Sequence, residues 1–480
     1  MAHFPKPAAG SWTENWPELG TAPVDYTDSI DPEHWKLEQQ AIFRKTWLHV
    51  GRVERLPKTG SYFTREMPSV GAGTSIIVVK DKEGTVRAFY NMCRHRGNKL
   101  VWNDFPGEEV SGSCRQFTCK YHAWRFALNG ELTFIQQEDE FFDVDKADFG
   151  LKPVRCEVWE GFIFVNFDDD AAPLQDYLGD YAKGLEGYPF HEMTEVYSYR
   201  APINANWKLF IDAFTEFYHA PVLHMKQAVK EEADKLAKIG FEALHYDIKD
   251  PHSMISSWGG MSPPKDEMMV KPIERILHSG LFGPWDRPDI KGIAADELPP
   301  AINPSRQPFW GQDSFEFFPN FTLLIWAPGW YLTYNYWPTE VNSHIFEANL
   351  YFVPPKNTRQ RLSQELAAVT FKEYALQAAV GGKAWNGWKL VEGRSNRKYI
   401  SEEAVAKRVS GAGYDPYEQK VLGVTAMQKL LGKTRFEELL NGYVEKPQGK
   451  PTLVPESDKR PAYELTQQAE SAKNDFKEDN

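Results

Sequence analysis

Two stretches of the chain decide its fold: Cys93-Arg94-His95-Arg96-Gly97-Asn98-Lys99-Leu100 and Phe117-Thr118-Cys119-Lys120-Tyr121-His122-Ala123-Trp124. Each stretch places one cysteine and one histidine within a few residues of each other. Each therefore predicts a tight loop that offers one thiolate and one imidazole. If the two loops meet in space, four metal-binding side chains converge.

Two thiolates and two imidazoles form the ligand set of a Rieske [2Fe–2S] centre, in which cysteines bind one iron and histidines bind the other. Imidazole carries less negative charge than thiolate, which raises the reduction potential and suits the centre to electron transfer. The residues therefore indicate Cys93, His95, Cys119 and His122 as cluster ligands.

Two alternatives remain open at this point. A structural zinc site can also use two cysteines and two histidines, although zinc fingers pair cysteine with cysteine and histidine with histidine at short spacing. The four side chains could also be ordinary buried cysteines and surface histidines. Of the other two cysteines, Cys114 would leave a longer loop before His122 than Cys119 does, so we assign Cys114 and Cys156 structural roles.

The segment around these loops predicts a small all-β domain. Residues 48–167 alternate with a period of two, which is typical of strands. Residues 75–79 and 86–90 flank Asp81-Lys82-Glu83-Gly84, which predicts a β-hairpin. We expect this domain to span residues 48–170.

The second half of the chain combines strands with helices. Strands are predicted at residues 321–326, 330–336 and 344–353. Residues 362–376 then show apolar positions at helical spacing, which indicates an antiparallel sheet with helices packed on it and an α+β protein. We assign residues 171–444 to this domain, residues 1–47 to an N-terminal arm and helix that belong to it, and residues 445–480 to a loosely ordered charged tail.

The composition excludes several classes of protein. The formal net charge is −12, which argues against a dedicated nucleic-acid-binding protein. No apolar run approaches the length of a membrane span, and the N-terminus lacks the pattern of a signal peptide. Four cysteines are too few for a secreted disulfide scaffold. We therefore expect a cytoplasmic enzyme without a membrane or nucleic-acid partner.

A second metal-binding pattern lies at the end of a predicted helix, residues 206–219, and just after it. Glu216 and His219 would lie on one face of this helix. Pro221 would end the helix, so that His224 can turn back toward His219. Two imidazoles with a carboxylate suit Fe(II) that keeps open positions for O2.

The two cysteine–histidine stretches resemble the Rieske domain of ring-hydroxylating oxygenase α subunits, and the resemblance to Rieske non-heme iron oxygenases covers about residues 30–380. Two departures are visible: residues 103–113 lengthen the connection between the loops, and Ala123 replaces the usual glycine before Trp124. The resemblance implies a Rieske domain on a helix-grip-like catalytic domain. It also implies a head-to-tail homotrimer, with or without a β subunit, in which the cluster of one chain serves the iron of the next.

The same resemblance implies roles for the second pattern. His219 and His224 match the ligands of a mononuclear Fe(II). Glu216 stands where the family usually has aspartate, and the resemblance implies that it bridges the metal centres of neighbouring subunits and carries electron transfer. Alternatively, Glu216 only orients His219.

The third iron ligand breaks the family pattern. The family supplies an acid after a stretch like Tyr374-Ala375-Leu376-Gln377, and this chain has Ala378 there. Glu373, a more distant acid and a true absence of the carboxylate remain open.

These observations predict an oxidoreductase, the terminal oxygenase of a Rieske system. It would use O2 as a monooxygenase or dioxygenase to hydroxylate or dealkylate an apolar, aromatic small molecule in aromatic compound catabolism. We find no flavin or nicotinamide fingerprint, so a separate ferredoxin or flavin reductase would supply electrons. Phe210, Phe214, Phe217 and Trp388 are candidate substrate contacts. The alternative is an electron-transfer or regulatory Rieske protein with a degenerate mononuclear iron site.

Overall fold

The structure is a computed structural model. It describes residues 25–103, 108–216, 244–258, 298–306, 310–326, 330–358, 360–362, 364–365, 368, 388–392, 398–399, 402–412, 422, 424–445 and 451–455. The chain divides into two compact units, residues 1–370 and residues 371–480. Within the described ranges, no helix is both long enough and apolar enough to span a lipid bilayer.

The first unit contains an all-β region, which starts after the helical segments within residues 27–43. Its strands are β1 (Leu48–Arg52), β2 (Ser61–Glu66), β3 (Ser75–Lys80), β4 (Val86–Tyr90), β5 (Ser111–Ser113), β6 (Phe117–Thr118), β7 (Arg125–Phe126), β8 (Leu132–Phe134), β9 (Pro153–Trp159) and β10 (Phe162–Asn166). An antiparallel sheet has the order β1-β10-β9-β4-β3-β2-β5, and β6, β7 and β8 form a separate small sheet. The predicted hairpin is confirmed: β3 pairs with β4, and Asp81 accepts the N–H groups of Glu83 and Thr85 in the turn.

A second antiparallel sheet follows. Its strands are β11 (Glu195–Ile203), β12 (Leu244–Lys249), β13 (His252–Trp258), β14 (Trp310–Phe317), β15 (Phe321–Trp326), β16 (Trp330–Glu340) and β17 (Ser343–Phe352), in the order β11-β17-β16-β15-β14-β13-β12. The three predicted strands are confirmed as β15, β16 and β17. The helix predicted at residues 362–376 lies mostly outside the described residues.

In the described part of the first unit, three α-helices accompany the sheets: α1 (Pro32–Glu38), α2 (Leu174–Leu185) and α3 (Trp207–Asp212). The carboxylate of Asp31 caps α1 by accepting the N–H of Glu33. At the other end of α1, the buried Glu38 accepts a hydrogen bond from Trp207 Nε1 at 3.0 Å and pairs with Lys208. This contact ties the N-terminal helix to α3. The predicted α+β class is confirmed.

The two sheets share one aromatic core. The ring centroid of Trp159 lies 5.7 Å from that of Phe317, and the Phe162 centroid lies 5.2 Å from that of Phe321. Trp159 and Phe162 lie on β9 and β10 of the first sheet. Their partners lie on β14 and β15 of the second sheet. Helix α2 buries Leu174, Leu178 and Leu185 against the same core.

His49 on β1 makes a polar contact inside this core. The backbone N–H of His49 donates to Asn320 Oδ1 at 3.0 Å, and Asn320 Nδ2 donates back to the backbone carbonyl of His49 at 3.1 Å. Its Nδ1 lies 3.1 Å from Oδ1 of Asn335 on β16. The side chain is almost completely buried, and burial lowers the pKa of His49 to about 3.

A buried ion network also joins the sheets. The Arg65 guanidinium on β2 donates to the Val50 carbonyl at 2.8 Å and to Glu347 on β17 at 2.8 Å. Glu109 contacts both Arg65 and Arg200, at 3.2 and 3.1 Å. Burial alone would raise the pKa of Glu347, but the charges of Arg65 and Arg200 lower it to about 2.

The second unit contains α4 (Glu402–Gly411), α5 (Val424–Leu431) and α6 (Lys433–Leu440), with β18 (Trp388–Glu392), β19 (Lys398–Tyr399), β20 (Val444–Glu445) and β21 (Pro451–Pro455). Val405, Met427 and Phe436 bury one apolar face of each helix. We expected residues 445–480 to be loosely ordered, but β21 pairs with β18. The run Thr452-Leu453-Val454 explains the difference, because these residues favour strands despite the charged composition around them.

Candidate functional site

The first cysteine–histidine loop leaves β4 and folds back as a tight turn. The Cys93 N–H donates to the Asn98 carbonyl at 2.8 Å, and the Gly97 N–H donates to the Cys93 carbonyl at 3.0 Å. Gly97 has a φ of 72°. Asn91 holds the end of the loop, since its side chain accepts the Val101 N–H and donates to the Val101 carbonyl, both at 2.8 Å.

The second loop, between β6 and β7, repeats this pattern at the same offsets. The Cys119 N–H donates to the Trp124 carbonyl at 2.8 Å, and the Ala123 N–H donates to the Cys119 carbonyl at 3.0 Å. Ala123, with a φ of 56°, takes the backbone conformation that Gly97 takes in the first loop. A side chain there costs free energy that glycine would avoid. This explains why Ala123 is a visible departure in the sequence.

The two loops bring the four predicted cluster ligands together. The thiols of Cys93 and Cys119 are buried and hydrogen-bonded to each other. The imidazoles of His95 and His122 are half-buried, with ring centroids 4.7 Å apart. Trp124 stacks on His95 at 4.8 Å with the ring planes 8° apart, which fixes the orientation of that imidazole.

The electrostatics of the loops suit metal binding. Burial raises the pKa of Cys93 to about 11, opposed by the N–H groups of His95 and Arg96, which point at its sulfur, and reinforced by the neighbouring Cys119. Burial and the charges of His122 and Arg96 lower the pKa of His95, which favours the neutral imidazole that binds metal. Asn98 Nδ2 also contacts Cys119 Sγ at 3.9 Å.

This donor set fits a Rieske [2Fe–2S] cluster. Two sulfurs lie in the interior and two imidazoles lie toward the solvent, so each iron can find a chemically uniform pair of ligands. N–H groups aimed at a cysteine sulfur stabilise the thiolate form that a cluster requires. The two remaining cysteines lie elsewhere: Cys114 next to Gly60, and Cys156 on β9, where burial raises its thiol pKa to about 12.

The second metal-binding pattern is only partly described. His219, His224, Glu373 and Ala378 lie outside the described residues, as does the candidate substrate contact Phe217. Glu216 is half-buried and ends a described segment.

Helix α3 is shorter than we expected, since it ends at Asp212 and not near His219. The Phe214 N–H donates to the Ile211 carbonyl at 2.7 Å, and both the N–H and the hydroxyl of Thr215 donate to the Asp212 carbonyl. Such i→i+3 contacts tighten the last turn and stop the helix. The prediction of one unbroken helix over residues 206–219 is therefore wrong, because residues 213–216 are not helical, and His219 lies outside the described residues.

Aromatic side chains in α3 and just after it cover one face of the second sheet. Phe210 lies 5.0 Å from Phe346, and Phe214 lies 4.7 Å from Tyr334, measured between ring centroids. Tyr336 belongs to the same face, 6.1 Å from Phe210. The side chain of Trp388, the other candidate substrate contact, is not among those described.

A buried acid on this face was not predicted from the sequence. Glu316 on β14 accepts a hydrogen bond from Thr322, whose hydroxyl lies 2.8 Å from that of Tyr336. Burial raises the pKa of Glu316 to about 8. The signal was present in Phe315-Glu316-Phe317, an acid inside an aromatic strand, but one sequence does not reveal that both faces of the strand are covered.

Three family models match the chain. The model described as the Rieske [2Fe-2S] domain matches residues 46–149, and the model described as the ring hydroxylating alpha subunit (catalytic domain) matches residues 190–380. A model described as a protein of unknown function, DUF2800, matches residues 359–461. The first two together cover more than half of the chain.

Curated relatives include enzymes with different substrates. The carnitine monooxygenase oxygenase subunit of Acinetobacter pittii is 32% identical over 214 residues, 44% of this chain and 54% of that protein. The large oxygenase component of the naphthalene 1,2-dioxygenase system of Pseudomonas aeruginosa is 36% identical over 203 residues, 40% of this chain and 42% of that protein. The chain thus spans about half the length of the curated relatives it matches.

Solved structures agree with the fold. A quaternary ammonium Rieske monooxygenase aligns with a TM-score of 0.54 at 20% identity, over 73% of this chain and 81% of that one. A naphthalene 1,2-dioxygenase with indole in its active site aligns with a TM-score of 0.54 at 26% identity, over 70% and 73%. Since one chain carries both a Rieske domain and a ring-hydroxylating catalytic domain, it belongs to the α subunits of the Rieske non-heme iron oxygenases.

Proposed function

We propose that the chain is the terminal oxygenase of a Rieske oxygenase system, with O2 and externally supplied electrons as co-substrates. The convergence of Cys93, Cys119, His95 and His122 in two matching loops carries this proposal. Cys93 and Cys119 would hold one iron of the cluster, and the two imidazoles would hold the other. When bound, the cluster supplies one-electron transfer.

The chain's own residues would prepare this centre in two ways. The N–H groups of His95 and Arg96 stabilise the Cys93 thiolate, and Trp124 fixes the ring plane of His95. The two half-buried imidazoles form the solvent side of the site, through which electrons would leave. We propose a homotrimer in which these imidazoles face a neighbouring subunit, and a ferredoxin or flavin reductase as the donor.

The mononuclear iron remains a proposal from the sequence. His219 and His224 would bind Fe(II), and Glu216 would relay electrons to it. The chain has no acid from Ala378 to Lys383, so the third ligand would come from Glu373, from a more distant acid or from a group that is not a protein side chain. Two protein imidazoles alone leave more coordination positions for ligands than the usual set.

The substrate class has two candidates. We expected an apolar, aromatic small molecule, and the naphthalene dioxygenase relative supports that proposal. The relatives named for carnitine and glycine betaine support a quaternary ammonium compound. A cytoplasmic location also stays a proposal.

The decisive experiment measures iron and acid-labile sulfide per chain on anaerobically purified protein, with its visible spectrum. Three irons and two sulfides, with O2 uptake that depends on a reductase, are the expected result. Neither iron nor sulfide after reconstitution would refute the proposal. The matched variants are Cys93→Ser, which should lose the cluster absorbance, and Cys114→Ser, which should keep it.

The missing acid favours a second candidate, an electron-transfer or regulatory Rieske protein. In that case the protein would contain two irons and two sulfides, unchanged after addition of Fe(II). It would accept electrons from a reductase without O2 uptake. The metal count and the O2 electrode together distinguish the two functions.

A further inference from the structure

Asn98 and Trp124 occupy matching positions in the two cysteine–histidine loops. Each is the fifth residue after its cysteine, and its backbone carbonyl accepts the N–H of that cysteine at 2.8 Å. Their side chains reach across to the opposite loop: Trp124 stacks on His95, and Asn98 Nδ2 lies 3.9 Å from Cys119 Sγ. Each loop therefore supports one metal-binding side chain of the other.

A second hydrogen bond fixes the orientation of the Asn98 amide. Its Nδ2 also donates to the Lys99 carbonyl at 2.8 Å, a contact that the amide oxygen could not make. An amide nitrogen carries two hydrogens, so the bond to the Lys99 carbonyl leaves one hydrogen for the sulfur. Asn98 thus presents a donor, and not an acceptor, to Cys119.

The sulfur that receives this donor is shielded from water. Cys119 is 3% exposed and belongs to the apolar core that includes Leu100, Phe117 and Trp124. Hydrogen bonds are electrostatically stronger in such a low-dielectric environment than in water. The amide of Asn98 therefore acts on this sulfur with little competition from solvent.

The two cysteine sulfurs receive donors of different kinds. Backbone N–H groups of His95 and Arg96 point at the sulfur of Cys93. A backbone donor is present whichever of the common side chains stands at its position. The donor from Asn98 to Cys119 belongs to a side chain, so it depends on the choice of asparagine at this position and can be removed by substitution.

A hydrogen bond to a ligating sulfur affects the two redox states of a cluster unequally. Reduction adds one electron, so the sulfurs carry more negative charge in the reduced state. A donor stabilises the more negative state more strongly, and hydrogen bonds to the sulfurs help to set the reduction potential of iron–sulfur clusters. A higher potential makes reduction by an external electron carrier more favourable and onward transfer less favourable.

We propose that Asn98 is a positioning residue that raises the reduction potential of the cluster by donating a hydrogen bond from its side-chain amide to Cys119 Sγ. This inference rests on the proposed function, because it assumes the Rieske cluster of the same site. It does not depend on the mononuclear iron, on O2 or on the substrate.

The test measures the midpoint potential of the cluster by anaerobic redox titration of full-length protein at one pH, followed by the visible spectrum. Asn98→Leu removes the amide and keeps a side chain of similar shape. We expect the ratio of reduced to oxidised cluster at a fixed applied potential to fall about tenfold, which lowers the potential by about 59 mV for a one-electron couple.

Two further variants assign the shift to the amide. Asn98→Gln keeps an amide donor and should change the ratio less than about threefold. Asn129→Leu makes the same substitution at an exposed position between β7 and β8 and should leave the potential unchanged. If Asn98→Leu does not take up the cluster, Asn98→Ala provides the second measurement, because it also removes the donor and should lower the potential.

An unchanged potential in the variant that lacks the amide would overturn the inference, even if that variant holds less cluster, because a merely structural role predicts that result. Equal shifts in Asn98→Leu and Asn98→Gln, or in Asn98→Leu and Asn129→Leu, would overturn it as well. Each of these outcomes leaves the oxygenase proposal intact, since the cluster is present. Absence of the cluster from wild-type protein is the separate result that refutes the proposed function and this inference with it.

Discussion

Replacing His49 by asparagine should remove a large part of the acid sensitivity of the fold. Burial lowers the pKa of His49 to about 3, whereas an unfolded histidine titrates near 6.5. Below pH 6.5 the unfolded chain therefore gains a proton that the folded chain refuses. The free energy of unfolding then falls by about 1.4 kcal/mol per pH unit until the pH reaches the folded pKa.

Between pH 7.5 and 4.5 this single histidine should cost the wild-type protein about 3 kcal/mol of stability. His49→Asn places an amide near Asn335 but cannot titrate. The lost ring leaves a cavity, which lowers stability by an amount that does not depend on pH. The stability difference between wild type and variant should accordingly shrink by about 3 kcal/mol across this range.

The assay is urea unfolding followed by tryptophan fluorescence at four pH values across this range. Burial raises the pKa of Asp313 to about 7 and that of Glu316 to about 8. These acids oppose the effect, since their contribution to stability is present at low pH and is lost as the pH rises. Both proteins contain them, so the difference isolates His49. The exposed His191, changed to asparagine, is the control. A stability difference that stays constant with pH would refute the reasoning.

The remaining predictions concern the cluster loops and the buried ion network. Ala123→Gly should raise the temperature at which the cluster absorbance is lost, and Gly97→Ala should lower it, each by the equivalent of about 1 kcal/mol, because both positions have positive φ. Loss of stability in both variants would contradict this explanation. Arg65→Met should reduce the free energy of unfolding by about 3 kcal/mol, since it removes the fully buried cation of Glu347 and Glu109 and leaves them with the half-buried Arg200. Urea unfolding should also show partial recovery when Glu347→Gln is added, and an additive double variant would disprove the coupling.

Local patterns predicted much of the fold and of the cluster site. The hairpin of β3 and β4 follows from alternation around a turn, and both metal-binding loops follow from the short spacing of cysteine and histidine. These features depend on neighbours in sequence, so one sequence suffices to find them.

Contacts between distant residues explain what the sequence analysis missed. His49 lies in an alternating strand, but its partner Asn320 lies 271 positions away. The burial of Glu316 is equally hard to predict from the sequence, because it depends on the segments that cover both faces of β14. The end of α3 at Asp212 shows a different limit, because apolar periodicity continues past a turn that Thr215 closes with its own hydrogen bonds.

The shared aromatic core has a consequence for how such proteins can be recombined. Trp159 and Phe162 from the first sheet contact Phe317 and Phe321 from the second, and all four side chains are buried, so the boundary between the sheets is packed like an interior. Transplanting the all-β region from a homologue would bring one half of this packing without the other. A chimera that folds should therefore exchange β1, β9 and β10 together with the core-facing residues of β14 and β15. The two packed sheets would thus have to be inherited together.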